Sequence, residues 1–469
     1  MMDYMGVFKE KHVQDNPEYL HNDIGIAKLF YDIHSKDICY VWESKTWYSY
    51  NGKRWVKDDG GLGIMEHCKG FVQALGMYAK SLDNKGDERE GFIKYATGFH
   101  ARRKREGLLS DARSIAPKSL ADFDRNKKLL NCQNGTFNLE NFGLQPHSPD
   151  DYITKIARVR YDHKAVCPRW EGFVDEVMCG DTDTAVFLQK ALGYALTGDT
   201  SLECFFILYG NTTRNGKTTL SETVAHLLGD YARTIQPQTL ARRSNDGSAA
   251  SPDIARLKGA RLVNMPEPEK GLELNIALVK QLTGGDTYTG RFLHENPVEF
   301  CPEFKIFVNT NHLPRTSDDT VFTSGRVKLI PFDRHFAPEE QDSGLKMLFR
   351  KKDNMSGILN WMIDGYRLLL EVGLDVPQRV DDAIAAYRQE TDIIGQFLSD
   401  CTAGEDGNRL PASEIYSAYT SWAKDNGYRQ MNNKNFIAEL RRRFEVRRDG
   451  IGTVIIGITM DYCQNPLPL

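Results

Sequence analysis

The sequence predicts an α/β fold for the middle of the chain, on three observations. Residues 202–335 alternate strand and helix signals, as a sheet with crossover helices does. Residues 210–219, Gly-Asn-Thr-Thr-Arg-Asn-Gly-Lys-Thr-Thr, fit the pattern G-x-x-x-x-G-K-S/T, with Gly210, Gly216, Lys217 and Thr218 at the fixed places. That loop follows a short apolar run, 203–209, and leads into residues 220–228, whose apolar positions recur at helical spacing up to Gly229. Strand, glycine loop and helix therefore come in the order that phosphate binding needs. Backbone N–H groups at the helix start wrap a β-phosphate, Lys217 reaches the β/γ oxygens, and Thr218 holds Mg²⁺. Asn215 and Thr219, inside the same loop, complete the candidate nucleotide contacts.

Length and composition bound the rest. At 469 residues the chain is too long for one core and calls for about three domains. Hydrophobic content of 41% and charged content of 26% are ordinary for a globular protein. No run approaches the ~18–20 apolar residues of a membrane span, and the N-terminus lacks a basic-then-apolar signal pattern. The expectation is a cytoplasmic protein with no membrane partner. Nine scattered cysteines form no C-x-x-C pair, so neither a zinc site nor a disulfide framework is expected. A net charge of −4 excludes a chain coated in basic charge but leaves room for local patches. Two occur, at His100–Arg105 and at Arg441, Arg442 and Arg443 with Arg447 and Arg448.

Taken in order, residues 1–165 mix hairpin and helix signals. Residues 41–50 and 53–56 suggest a hairpin around Asn51-Gly52, with Trp42, Trp47 and Trp55 as a small core. Residues 62–115 suggest helices, and 129–139 return to strand and turn. Residues 166–340 open with a helical lead-in carrying Trp170, Phe173, Val174 and Val177 on one face, with Asp181 as a helix cap, and continue into the α/β sheet. Residues 341–396 form a helical connector. Residues 397–469 suggest a helix capped by Ser413, a basic helix with Lys434 and Arg441–Arg443, and a hairpin at Asp449-Gly450. That succession is the pattern of a winged-helix-like DNA-binding unit.

Three segments beyond the loop narrow the chemistry. The strand candidate Gly259–Met265 leads into Pro266-Glu267-Pro268-Glu269, where the prolines favour extended chain and alternation points both glutamates the same way. An acidic group there acts through the Mg²⁺ shell or orients the attacking water. The strand candidate Lys305–Asn309 ends at Asn311, with Asn309 as the alternative polar group for the γ-phosphate. Between them, 287–294 and 298–300 can pair across 295–297, which places Arg291, Phe292 and His294 near an exposed hairpin suited to gripping a nucleic-acid strand. Lys280 precedes it on Val279-Lys-Gln-Leu-Thr-Gly-Gly-Asp286.

The succession of 210–219, 261–271, 279–286, 300–314 and 318–332 resembles the superfamily 3 helicase domain of phage and plasmid primase–helicase proteins. That family includes the poxvirus replicative primase–helicase. Residues 130–137 and 146–154 are similar to its N-terminal accessory domain. The resemblance implies an AAA+-like P-loop ATPase core, using ATP and Mg²⁺, in a ring that is usually a hexamer. Such rings move 3′-to-5′ on single-stranded DNA and open forked DNA. It further implies that Lys217 and Thr218 bind nucleotide and metal, with Glu267 at the metal and either Glu267 or Glu269 as the base. Asn311 matches the sensor asparagine, and Arg291 and Phe292 match the central-channel hairpin. Arg326 falls where the family places an arginine finger, with Arg315 and Arg334 as alternatives. No strand carries paired aspartates for nucleotide polymerisation, so a primase or polymerase is expected on a separate partner. Two other readings are an AAA+ loading ATPase that does not unwind, and an origin-binding factor with a structural nucleotide site.

Overall fold

The computed structural model describes residues 3–82, 86–242, 252–291, 297–316, 318–428, 430–450 and 452–461. In the N-terminal part, helices Tyr4–Glu10, Asp23–His34, Leu62–Ser81, Asp87–Gly98 and Arg102–Ala112 enclose an aromatic core that includes Phe8, Phe30, Phe71, Phe92 and Phe99. A three-stranded antiparallel sheet of β1 (Ile38–Val41), β2 (Thr46–Tyr50) and β3 (Trp55–Lys57) packs beside it. The single strand expected over 41–50 is thus two strands. Residues 42–45 turn between them, with Lys45 at φ 50°. Trp47 and Trp55 are buried as expected, whereas Trp42 is 58% exposed because it lies in that turn.

A second antiparallel sheet, β4 (Leu129–Cys132), β5 (Gly135–Asn138) and β6 (Gly143–Gln145), follows. Its apolar side chains Leu130, Cys132 and Phe137 share one core with Trp170, Phe173 and Val177 of the helix Pro168–Val177, and with the helix Thr182–Tyr194. Asp181 caps the latter helix by accepting from the Thr184 N–H.

The central sheet is parallel, with β7 (Phe205–Tyr209), β8 (Ala232–Thr234) and β9 (Leu262–Met265) followed, after the antiparallel pair β10 (Tyr288–Arg291) and β11 (Pro297–Phe300), by β12 (Lys305–Thr310) and β13 (Val327–Pro331). Its order is β13-β7-β12-β9-β8. Near-continuous apolar runs form these strands because both faces are covered. On one face lie the helix Lys217–Leu228 and the long helix Lys352–Val372, packed on Phe206, Leu208 and Ile330. On the other, Phe205, Ile207, Val263 and Ile306 meet the helix Ile276–Thr283 and Tyr387 of the helix Gln378–Thr391.

The C-terminal unit has its own core, with Phe397, Tyr419, Trp422 and Phe436 at the centre. Helices Ala412–Asp425 and Asn433–Arg441 pack on a sheet ordered β14 (Thr402–Pro411), β16 (Gly452–Met460), β15 (Val446–Asp449). Two corrections apply here. Ser413 lies inside the first turn of its helix, whose start at Pro411 has no side-chain cap. Strand β14 has no counterpart in the sequence reading, because Thr402–Pro411 alternates no apolar residues and pairs through backbone alone.

Candidate functional site

At the carboxyl end of β7 the chain must turn sharply into the helix Lys217–Leu228, and two glycines make this possible. Gly216 takes φ 87°, and a Cβ there would lie 2.5 Å from Val177 Cγ1. A Cβ on Gly210 would strike the Phe332 carbonyl and the Asn215 amide, each at 2.4 Å. The loop is also held from outside. The Phe336 N–H donates to Arg214 O at 2.9 Å, and His335 Nδ1 lies 2.8 Å from Thr213 O. Asn215 is buried and donates to Thr212 O at 2.6 Å. It braces the loop from within.

A cleft of about 310 Å³ opens here, lined by Thr213, Arg214, Asn215, Lys217 and Thr218 of the loop and by residues at the ends of β9 and β12. Lys217 is 5% exposed. Its Nζ donates to Asn311 Oδ1 at 2.6 Å and to Gly210 O at 3.3 Å. Asn311 in turn donates its backbone N–H and its Nδ2 to the two oxygens of Glu267, each at 3.1 Å. Burial pushes the Lys217 ammonium down to about 8, and the Glu267 carboxylate partly offsets this. Thr218 stands exposed at the helix start, next to Lys217.

The structure thus brings together Gly210, Asn215, Gly216, Lys217, Thr218, Glu267 and Asn311, with Thr219 half-buried in the first helical turn. Glu269 is exposed and does not line the cleft. Asn309, largely buried, also lines the cleft; it accepts from the Ser221 hydroxyl at 2.7 Å, while its Nδ2 donates to Asn264 Oδ1. Sequence reasoning missed Ser221 and Asn264. Their signals were a hydroxyl one helical turn after Lys217 and a lone amide in an apolar strand.

The remaining candidates lie elsewhere. Arg326 immediately precedes β13, at the amino edge of the sheet, where it pairs with Glu203 and donates to Thr283 Oγ1 at 2.9 Å. It is not part of its own chain's cleft. Arg315 is exposed, four residues beyond Asn311, and Arg334 pairs with Glu340. Lys280 pairs with Asp318 at 2.8 Å. Arg291 ends β10, the first strand of the expected hairpin; Phe292 and His294 lie outside the described residues. On the C-terminal unit Arg442 pairs with Glu439, and Arg443 makes a two-pronged pair with Asp392. Lys434 and Arg441 are exposed. Among the described residues no helix is long and apolar enough to cross a membrane, and no cluster of three metal-ligating side chains occurs.

These features set the class: an α/β protein with a phosphate-loop sequence at the carboxyl edge of a parallel sheet. Two family models match the chain, "D5 N terminal like" over residues 27–179 and "Poxvirus D5 protein-like" over residues 389–452. Three viral proteins named as putative helicases align with it. L207/L206 of Acanthamoeba polyphaga mimivirus is 25% identical over 424 residues, covering 83% of this chain and 44% of that protein. The 022R protein of Frog virus 3 (isolate Goorha) is 26% identical over 308 residues, 62% of this chain and 30% of that one. V13 of Sputnik virophage is 25% identical over 376 residues, 75% of this chain and 47% of that one. In these segments the chain is similar to the poxvirus D5-like family of primase–helicase proteins. It spans less than half the length of these three relatives. Among solved structures, the apo A form of the NrS-1 C-terminal region aligns at a TM-score of 0.49 and 10% identity, over 92% of this chain and 98% of that one.

Proposed function

We propose that this chain is the motor part of an ATP-dependent DNA helicase that serves viral or mobile-element replication in a host cytoplasm. The observation that carries the reading is the chain of contacts from Lys217 through Asn311 to Glu267 across one cleft. A buried ammonium, a strand-end amide and a carboxylate stand where phosphoryl transfer needs a phosphate clamp, a sensor and a water-orienting group. The cleft suits ATP with Mg²⁺: the loop offers backbone N–H groups at a helix start, and the exposed Thr218 hydroxyl is free to meet a cation beside Glu267. Bound Mg²⁺ would neutralise charge on the β- and γ-phosphates. Lys217 would leave Asn311 for phosphate, and Asn311 would hold Glu267 toward the attacking water. Glu267 is the base in this reading, since Glu269 lies off the cleft.

A ring, hexameric and moving 3′-to-5′ as in superfamily 3, would bring Arg326 to a neighbour's γ-phosphate. That fits its position away from its own cleft and its absence from the loop's contacts. The β10–β11 hairpin, with Arg291, Phe292 and His294, and the Lys434/Arg441 surface would grip single-stranded and forked DNA, with any primase on a partner. The test is unwinding of a forked duplex with a 3′ tail. Wild type is expected to unwind it as a large assembly, Lys217→Ala to lose ATP binding and unwinding, and Arg326→Ala to bind ATP without unwinding. DNA-stimulated hydrolysis without strand displacement would favour a loading ATPase instead. Origin binding that survives Lys217→Ala, with no turnover, would favour a structural nucleotide site.

A further inference from the structure

Strands β9 and β12, which end near Glu267 and Asn311, both begin at a buried cation. Arg261 is 4% exposed and Lys305 is 1% exposed. Each stands six residues before the polar group at the other end, about 20 Å at ~3.3 Å per residue. The two starts are bonded to one another, with the Lys305 N–H donating to Arg261 O at 2.9 Å. Among the described residues neither cation has a carboxylate within ion-pair distance; both are held by carbonyl oxygens. Arg261 Nη1 donates to Leu196 O and Nη2 to Leu129 O, each at 2.6 Å, and its guanidinium lies 4.5 Å from the Tyr231 ring. Lys305 Nζ donates to Thr197 O, to Asp199 O at 3.0 Å and to Glu303 O at 3.4 Å, over the Tyr194 ring at 4.4 Å.

The carbonyls belong to other parts of the chain. Leu129 starts β4, and Leu196, Thr197 and Asp199 close the helical lead-in. The tie to β4 is doubled, because the Asn131 N–H donates to Tyr231 Oη at 3.1 Å. Burying a cation costs free energy that carbonyl contacts only partly offset, and an apolar side chain of similar length would pack there at less cost. What the cations provide is geometry. Donors of fixed reach lock the axial position of two adjacent strands against the lead-in and β4.

Resting on the ATPase reading above, we infer that Arg261 and Lys305 are positioning residues that set the register of Glu267 and Asn311. The β4–β6 segment is then part of the catalytic scaffold and not a detachable accessory. Lys217 begins the helix Lys217–Leu228, whereas the side-chain bonds of both cations go to other segments, so nucleotide binding and turnover should separate.

The experiment compares wild type with Arg261→Met, Lys305→Met, Arg261→Lys and Tyr231→Phe. The expected result is a KM for ATP within about threefold of wild type and a kcat at least about tenfold lower in the Met variants, as misplacement of a reacting group produces. Arg261→Lys should recover part of the loss, and Tyr231→Phe should give a smaller fall. Hydrogen exchange at the amides of Met265, Glu267 and 309–311 should rise in the same order. Wild-type kcat in a folded Met variant, or KM and kcat lost together, would overturn the inference. Should the Met variants not fold, Arg261→Lys and Tyr231→Phe decide it by the same split. A wild type without ATP hydrolysis would sink the ATPase reading alone, and unchanged exchange at those amides would then overturn the positioning role.

Discussion

Lys217 shows how far one residue's environment departs from its chemistry in water. Its ammonium is buried, bonded to Asn311 Oδ1, and held at about 8 against about 10.4 for a free lysine. The sign follows directly. The shift is downward, so the empty site has shed its proton above about pH 8, whereas a bound triphosphate favours the charged form. Nucleotide binding should therefore take up a proton and weaken as pH rises. We expect the dissociation constant for ATP to rise about tenfold between pH 7 and 9. Lys217→Arg, charged throughout, should bind more weakly with no such slope. Titration calorimetry at several pH values checks both. Glu267 and Glu269 teach the complementary lesson. Alternation put both on one side of an extended chain, but Glu267 bonds to Asn311, while Glu269, two residues on, does not line the cleft.

Among elements, the helix after the loop is attached to the sheet by the hydrogen bonds of Ser221, Asn309 and Asn264. All three are buried or half-buried, so losing one member leaves a polar group unmatched. Ser221→Ala should lower the melting transition by about 2–4 °C and leave the fold intact, as calorimetry would show. Asn309→Leu should cost more, since it strands both partners. The strands themselves were legible from their apolar runs, and the glycine loop from its spacing. The β10–β11 pairing was legible too. Strand β14 was not: its residues carry no period, and its partner β16 lies some fifty residues later.

For the whole molecule, the helix Gln378–Thr391 links the loop before β13 to the C-terminal unit, with an ion pair at each step. Arg388 makes two bonds to Asp319, Arg443 makes two to Asp392, and the Arg315 guanidinium faces the Tyr428 ring at 5.7 Å. Burial raises the Asp392 carboxyl, but the Arg443 bonds and the Gly395 N–H outweigh it and hold the group below its usual range. Half-exposed pairs of this kind contribute about 1 kcal/mol or less each. Arg443→Ala should therefore barely change stability while raising proteolytic cleavage near residue 392. Its effect on DNA binding should be smaller than that of Arg441→Ala, whose guanidinium is exposed. Band-shift titrations of the two variants, side by side, would show the opposite order if Arg443 leaves Asp392 to meet phosphate.

Local pattern was enough for the α/β class, the glycine loop between strand and helix, the lead-in helices and the resemblance to primase–helicases, because each depends on residues close in sequence. Spacing of glycines, apolar period and cap chemistry act over a few residues. The tertiary structure decided what depends on distant partners. It chose Glu267 over Glu269 for the cleft, bonded Asn309 to Ser221 and Asn264 but Asn311 to Lys217 and Glu267, and carried Arg326 to the amino edge. It also paired Lys280 and Arg443 with carboxylates and seated Arg261 and Lys305 on carbonyls from other segments. Such choices rest on which groups meet across the sheet, and charge and burial at those meetings are set by packing that no local pattern contains.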